Sequence, residues 1–151
     1  MKNCTWYKEE SCCTQIEIDE TFKNMKPLQG STPACQRHVN YLMCYICSPH
    51  QYIFYIYQKL TVCEEFCDAI LTHCQDAILK GSRIKDLHSN GAQFCKSRNL
   101  EVDRKENGNC FYFDETEDNT LGSSGSFISQ VGILSLTILC FLIQLSVAGL
   151  Y

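Results

Sequence analysis

The chain has 151 residues, of which 12 are cysteine, and its formal net charge is −4. This length corresponds to about one domain. The negative charge and the absence of a basic run argue against a nucleic-acid-binding protein, whose affinity rests on clustered Lys and Arg. Cysteines this dense predict a small disulfide-bonded domain in an oxidising compartment, and the alternative is a reduced cytosolic protein.

The first residues, MKNCTWYKEESCC, contain no apolar stretch of the kind that a secretory signal peptide requires. Because the cysteines nevertheless predict secretion, we expect this sequence to lack the true N-terminus of the protein. Asn3 begins an Asn-Cys-Thr sequon. It is a candidate glycosylation site, although the central cysteine makes the sequon a poor acceptor.

The first predicted helix begins after Thr32. Thr32 is a suitable N-cap, and Pro33 suits the first helical position. The helix should end before the Ser-Pro-His sequence at 48–50, because a residue that precedes proline is disfavoured in helical conformation. The side chains expected to point inward are Cys35, Val39, Leu42 and Met43.

The second predicted helix runs from Thr61 to Gly81. Thr61 and Glu64 have the spacing of a capping box, and Gly81 suits a left-handed C-cap. At about 100° per residue, four side chains fall within one narrow arc: Cys63, Cys67, Ile70 and Cys74. Thiols side by side on a regular helix are poorly placed to bond to each other. Each is therefore expected to bond to a different segment, and the alternative is a core of free cysteines.

The C-terminal quarter of the chain changes composition twice. Residues 114–130 form an acidic and then Gly/Ser-rich stalk, and residues 131–151 are apolar without a single charge. Small residues, a short spacer and an apolar terminus predict a glycolipid (GPI) attachment signal, with Ser123 as the preferred site and Gly122 or Ser124 as alternatives. A plain tail anchor is the alternative, although it usually has basic residues on its cytoplasmic side.

The cysteine motifs occur in a distinctive order: CTWYKEESCC, PACQRH, CYICSPH, LTVCEEFCDAILTHC, FC and GNCFYFD. This combination resembles the folate receptor/riboflavin-binding family of cysteine-rich domains. Its Cys-x2-Cys-Ser-Pro-His form is most similar to the N-terminal domain of hedgehog-interacting proteins. The resemblance implies a mainly α, disulfide-rich small extracellular domain with short strands over residues 1–113, followed by the stalk and the hydrophobic tail.

The resemblance also implies a disulfide pairing. The pairs carried over from the family are Cys4–Cys44, Cys13–Cys47, Cys35–Cys74, Cys63–Cys110 and Cys67–Cys95. In the family, the first cysteine of the double pair bonds to a cysteine further upstream, which this sequence does not have. Cys12 is therefore expected to remain unpaired in this chain.

Neither a metal site nor an enzyme is expected. The adjacent Cys12 and Cys13 are poorly spaced for zinc, and the Cys44-x2-Cys47 pair has no second matching pair. None of the four histidines is spaced to act with a nucleophile: His38, His50, His73 and His88. We expect no catalytic residue, no metal and no cofactor.

The expected function is ligand binding at the extracellular face of the plasma membrane. In folate receptors an aspartate and several tryptophans hold the pterin, whereas this chain has one tryptophan and has Asn24 near the aspartate position. The aromatic segment from His50 to Leu60 is predicted to be a strand or a short helix. Candidate ligand-binding residues are Trp6, Asp19, Tyr52, Phe54, Tyr55 and Tyr57. A protein partner is the favoured ligand, and folate or riboflavin is the alternative.

Overall fold

A computed structural model describes residues 3–113 of the chain. The helices are α1 (Gln15–Phe22), α2 (Pro33–Met43), α3 (Gln51–Phe54), α4 (Glu64–Cys74), α5 (Ile84–Leu87) and α6 (Gly91–Lys96). The strands are β1 (Tyr55–Ile56), β2 (Lys59–Cys63), β3 (Ile78–Leu79), β4 (Ser82–Arg83) and β5 (Glu101–Asp103). Short 3-10 helices span Thr5–Tyr7, Cys44–Cys47 and Lys105–Asn107. The predicted class, a mainly helical, disulfide-rich domain with short strands, is confirmed.

Helix α2 begins as the sequence predicts, and it ends at Met43, where a 3-10 helix (Cys44–Cys47) takes the chain to the Ser-Pro-His sequence. The Thr32 hydroxyl oxygen accepts a hydrogen bond from the Cys35 backbone N–H at 3.0 Å, and Pro33 occupies the first position of the helix. The Thr32 hydroxyl also donates to the His73 carbonyl oxygen at 3.2 Å. One side chain therefore caps α2 and ties its start to the end of α4.

The predicted start of the second helix is wrong by three residues. Thr61 lies in β2, and α4 begins at Glu64 without a side-chain cap. Strand β2 pairs in parallel with β5, and Phe111 exchanges backbone hydrogen bonds of 2.8–2.9 Å with Thr61 and Cys63. These pairings hold the backbone extended up to Cys63, so a capping box cannot form there.

The predicted end of that helix is also wrong. Helix α4 ends at Cys74, and Ile78 lies in β3. Gly81 has a φ of +87° in the turn that joins β3 to β4, so its left-handed conformation serves a hairpin and not a helix cap. The Ile78 N–H donates to the Gln29 carbonyl oxygen at 2.8 Å, which directs the chain away from the helix.

Helix α4 forms the centre of the core. Phe66, Cys67, Ile70 and Cys74 are buried on it, in contact with α2 on one side and α6 on the other. A smaller buried cluster near the N-terminus consists of Cys4, Ile18, Cys44 and Cys47. No helix within residues 3–113 is long and apolar enough to cross a membrane.

The backbones of α4 and α6 approach each other closely at Gly91. Gly91 donates its backbone N–H to the Asp68 carboxylate at 2.8 Å. A Cβ atom at this position would overlap the Asp68 backbone nitrogen and the Cys67 carbonyl carbon. Only glycine therefore lets α6 pack against α4 at this distance.

We expect Gly91→Ala to lower the free energy of unfolding by about 2–3 kcal/mol, because the two helices must move apart to admit the methyl group. Denaturant unfolding of the oxidised chain measures the change. Lys96→Ala, on the exposed side of the same helix, is the control and should change stability by less than about 0.5 kcal/mol. Equal stabilities for the two variants would contradict the tight packing of α6 on α4.

Candidate functional site

A cleft of about 960 Å³ opens beside α2. Most of its lining residues lie on α2 or in the segment between α1 and α2, and single residues are added from β2, α4, β3 and α6 and from the chain around them. Nine of the lining side chains are Leu, Ile, Val or Met: Met25, Leu28, Val39, Leu42, Met43, Leu60, Ile70, Leu79 and Leu100. Three are aromatic, namely Phe22, Tyr45 and Phe94. The cleft is therefore mainly aliphatic.

The charged residues of the described chain that line the cleft are basic. They are Lys26, Arg37 and Arg98, and within residues 3–113 no aspartate or glutamate lines it. The polar lining groups include Asn40, whose Nδ2 donates to the Asn3 carbonyl oxygen at 3.0 Å. Asn3 is half-buried at the edge of the cleft, and its glycosylation stays a prediction.

Trp6 lies outside this cleft. Its ring packs edge-on against Tyr41, with centroids 4.8 Å apart, and lies 5.1 Å from the Phe113 ring. The indole Nε1 is buried and has no hydrogen-bond partner. In this arrangement Trp6 covers the small N-terminal cluster and presents no face to a ligand in the cleft.

The structure places the other candidate residues outside the cleft, and their role in ligand binding stays a prediction. None of them lines the cleft: Asp19, Tyr52, Phe54, Tyr55 and Tyr57. Asp19 is exposed on α1, where its carboxylate accepts a hydrogen bond from Gln15 at 2.9 Å. Phe54 is a core residue packed against Phe111. The segment turns from helix to strand at Tyr55, which points successive aromatic rings in different directions.

Two of these aromatics are exposed beside the β1–β2 hairpin. Tyr57 is 95% exposed and Tyr52 is 46% exposed, and Ile56 between them is 52% exposed. Tyr57 and Gln58 form the two-residue turn, with φ angles of +52° and +61°. We refer to Tyr52, Ile56 and Tyr57 as the hairpin patch.

The structure joins ten cysteines in the five pairs that the family resemblance implies. They are Cys4–Cys44, Cys13–Cys47, Cys35–Cys74, Cys63–Cys110 and Cys67–Cys95. The expectation for Cys12 is wrong, because Cys12 is also disulfide-bonded. Cys12 is only 7% exposed. Its backbone N–H donates to the Cys47 carbonyl oxygen at 3.1 Å, so Cys12 belongs to the packed interior.

Sequence reasoning missed a contact between two histidines. The rings of His38 on α2 and His73 on α4 lie 4.3 Å apart, and a His38 ring nitrogen lies 2.9 Å from the Ala34 carbonyl oxygen. Within residues 3–113, no group of three metal-ligating side chains is arranged around a common point. The two helices carry His38 and His73 at positions far apart in the chain, so no local spacing signalled their contact.

Tyr45 lines the cleft, and its pKa is raised. Burial raises its pKa to about 12, and the neighbouring Tyr55 adds to the shift through its charge and a hydrogen bond. The two rings are 5.4 Å apart. Tyr45 is therefore a neutral, hydrogen-bonded wall of the cleft at physiological pH.

A family model for the folate receptor family matches residues 1–122. The chain belongs to the folate receptor family. Members of this family are extracellular ligand-binding proteins rather than enzymes. No curated protein matches the chain. The particular similarity to hedgehog-interacting proteins stays a prediction, and Ser123, the stalk beyond residue 113 and the tail lie outside the described residues.

We expect one tyrosine of this folate receptor family domain to titrate late. The ordinary value is 10.0, so between pH 10 and about 12 folded Tyr45 keeps a proton that the unfolded chain has released. This group's contribution to stability is therefore full below pH 10 and is lost as the pH rises towards 12. Absorbance of tyrosinate against pH measures the late step. Tyr45→Phe should remove it, and Tyr57→Phe, an exposed control, should leave it unchanged; removal by the control alone would contradict the assignment.

Proposed function

We propose that this domain is a non-catalytic cell-surface receptor that recognises a protein partner through the hairpin patch and is tethered by a glycolipid at Ser123. The observation that carries the proposal is the conformation and exposure of Tyr57. A large aromatic side chain is 95% exposed at a position where φ is +52°.

Tyr57 is unfavourable in two independent ways in the isolated domain. A non-glycine residue in left-handed conformation costs about 1–2 kcal/mol, and two-residue hairpin turns of this type prefer Asn-Gly or Asp-Gly. The aromatic ring also leaves most of its apolar surface in water. Tyrosine is, however, among the residues that contribute most to protein interfaces. A partner that covers the ring would account for its presence at the tip of the turn.

A vitamin is the less favoured ligand for this domain. Flat heteroaromatic rings bind best against aromatic faces. In the described part of the chain the single tryptophan packs against Tyr41 and Phe113, and most of the cleft wall is aliphatic. These observations support a protein partner over folate or riboflavin.

Two substitutions at the turn separate binding from strain. Both Tyr57→Ala and Tyr57→Gly remove the ring, whereas only glycine adopts the positive φ without steric cost. We expect Tyr57→Gly to be more stable than Tyr57→Ala by about 1 kcal/mol. Both should weaken binding to the partner at least tenfold, since a central interface tyrosine commonly contributes more than about 1.4 kcal/mol.

The binding measurement screens the full chain, displayed on cells with a secretory leader, against multivalent ectodomains of the same organism's surface proteins. The expected result is a bound ectodomain whose affinity falls with both Tyr57 variants and is unchanged by Glu20→Gln, a substitution on exposed α1. If no bound ectodomain depends on Tyr57, or if binding survives loss of the ring, the hairpin patch is not the receptor surface.

The glycolipid tether gives a separate prediction. The uncharged tail after Asp118 and the small residues around Ser123 support it. We expect a phosphatidylinositol-specific phospholipase to release the cell-displayed chain into the medium. The control replaces residues 131–151 with a spanning helix followed by lysines, and it should resist the enzyme. Retention of the unmodified chain under conditions that release a known glycolipid-anchored protein would favour a tail anchor.

A further inference from the structure

The cleft beside α2 has a chemistry that recognition through the hairpin patch does not use. We propose that it binds a single-chain amphiphile with an anionic head, such as a long-chain carboxylate. The acyl chain would lie along the aliphatic wall, and the head would lie among the cations that line the cleft. This site is separate from the hairpin patch, because none of the three patch residues lines it.

The wall matches a flexible hydrocarbon better than a flat ring. The Leu, Ile, Val and Met side chains outnumber aromatic ones nine to three. Leu28, Val39 and Leu42 pack against the buried core, so this apolar wall is fixed by the fold. A volume of about 960 Å³ is at the upper end of the range for small-molecule sites. An acyl chain would remove this surface from water without needing a stacking partner.

The charge of the lining identifies the head group. Lys26, Arg37 and Arg98 line the cleft with no acidic residue from the rest of residues 3–113, although the whole chain carries a net charge of −4. The ion pairs formed within residues 3–113 engage neither Lys26 nor Arg98. The three basic side chains are exposed, so an anionic head can reach them while its chain enters the cleft. A carboxylate head is therefore favoured over a neutral or cationic one.

Other occupants fit fewer of these observations. A folate-like ligand supplies an anion but needs aromatic faces for its ring system. An apolar peptide segment would fit the wall but would not use a lining that is wholly positive. An anionic amphiphile uses both features at once, and the experiment below distinguishes it from the other occupants.

The test labels the full chain on cells with a palmitate analogue that carries a photoreactive diazirine and an alkyne. Mass spectrometry then locates the labelled peptides. We expect labels on residues 22–43, displaced by unlabelled palmitate. Shortening the competitor by two methylenes should weaken displacement about fifteenfold, because each buried methylene contributes roughly fourfold in affinity.

Substitutions assign the head and the wall separately. The double variant Lys26→Gln, Arg98→Gln should weaken displacement by palmitate about tenfold and leave displacement by hexadecanol unchanged. Lys80→Gln, Lys96→Gln removes the same charge from positions outside the cleft and should change neither. Val39→Trp fills the cleft and should abolish the labels. Tyr57→Ala should leave them intact, so failure of the hairpin proposal does not affect this test.

Three results would overturn the proposal. The first is labelling confined to residues 131–151. The second is displacement by folate, riboflavin or an apolar peptide at concentrations at which palmitate has no effect. The third is equal sensitivity of palmitate and hexadecanol to the loss of Lys26 and Arg98. Lys26 and Arg98 are exposed, so the charge variants should fold normally. The third comparison therefore holds even if Val39→Trp does not fold.

Discussion

The placement of α4 by disulfides is the constraint on which the rest of this domain depends. Cys63 at its start, Cys67 in its middle and Cys74 at its end bond to three different segments, at Cys110, Cys95 and Cys35 respectively. Each bridge closes a segment of 28–47 residues, and bridges of this kind typically contribute about 2–4 kcal/mol. Together they fix α2, α6 and the segment around Cys110 against one central helix. A chain this short cannot rely on its apolar core alone.

The disulfide bonds also affect the surface beside α2. In a small domain without cross-links, an apolar cleft beside a helix tends to close, because collapse removes hydrocarbon from water. Here Cys35–Cys74 joins α2 to α4, and Thr32 ties the start of α2 to His73 by a hydrogen bond. The position of α2 is thus set by covalent and polar contacts as well as by burial. This allows Val39 and Leu42 to remain partly exposed along an open cleft.

Local signals predicted structure well, and non-local pairing explains the errors. The N-cap at Thr32 depends on residues three apart, so the sequence alone located α2. The start of α4 depends on pairing between β2 and β5, which are about 40 residues apart (Val62 with Val102), and no local pattern shows it. The capping box of Thr14 and Glu17 at the start of α1 is also a local signal, although α1 is not among the helices predicted from the sequence.

The candidate sites were harder to predict for a related reason. The aromatic segment from His50 to Leu60 supplied most of the candidate ligand-binding residues. In the structure Phe54 lies in the core and Tyr57 lies in solvent, because the helix passes into the hairpin between them. Most of the cleft lining comes from residues 22–43, but the fold adds residues from distant elements, and Arg98 joins Lys26 and Arg37 only in three dimensions. The cleft combines a mainly aliphatic wall with local positive charge on an acidic chain. The overall composition of the sequence shows neither property. In this member of the folate receptor family the cleft is lined mainly by hydrocarbon, and the chemistry of a cleft, more than its position in the fold, determines what it can bind.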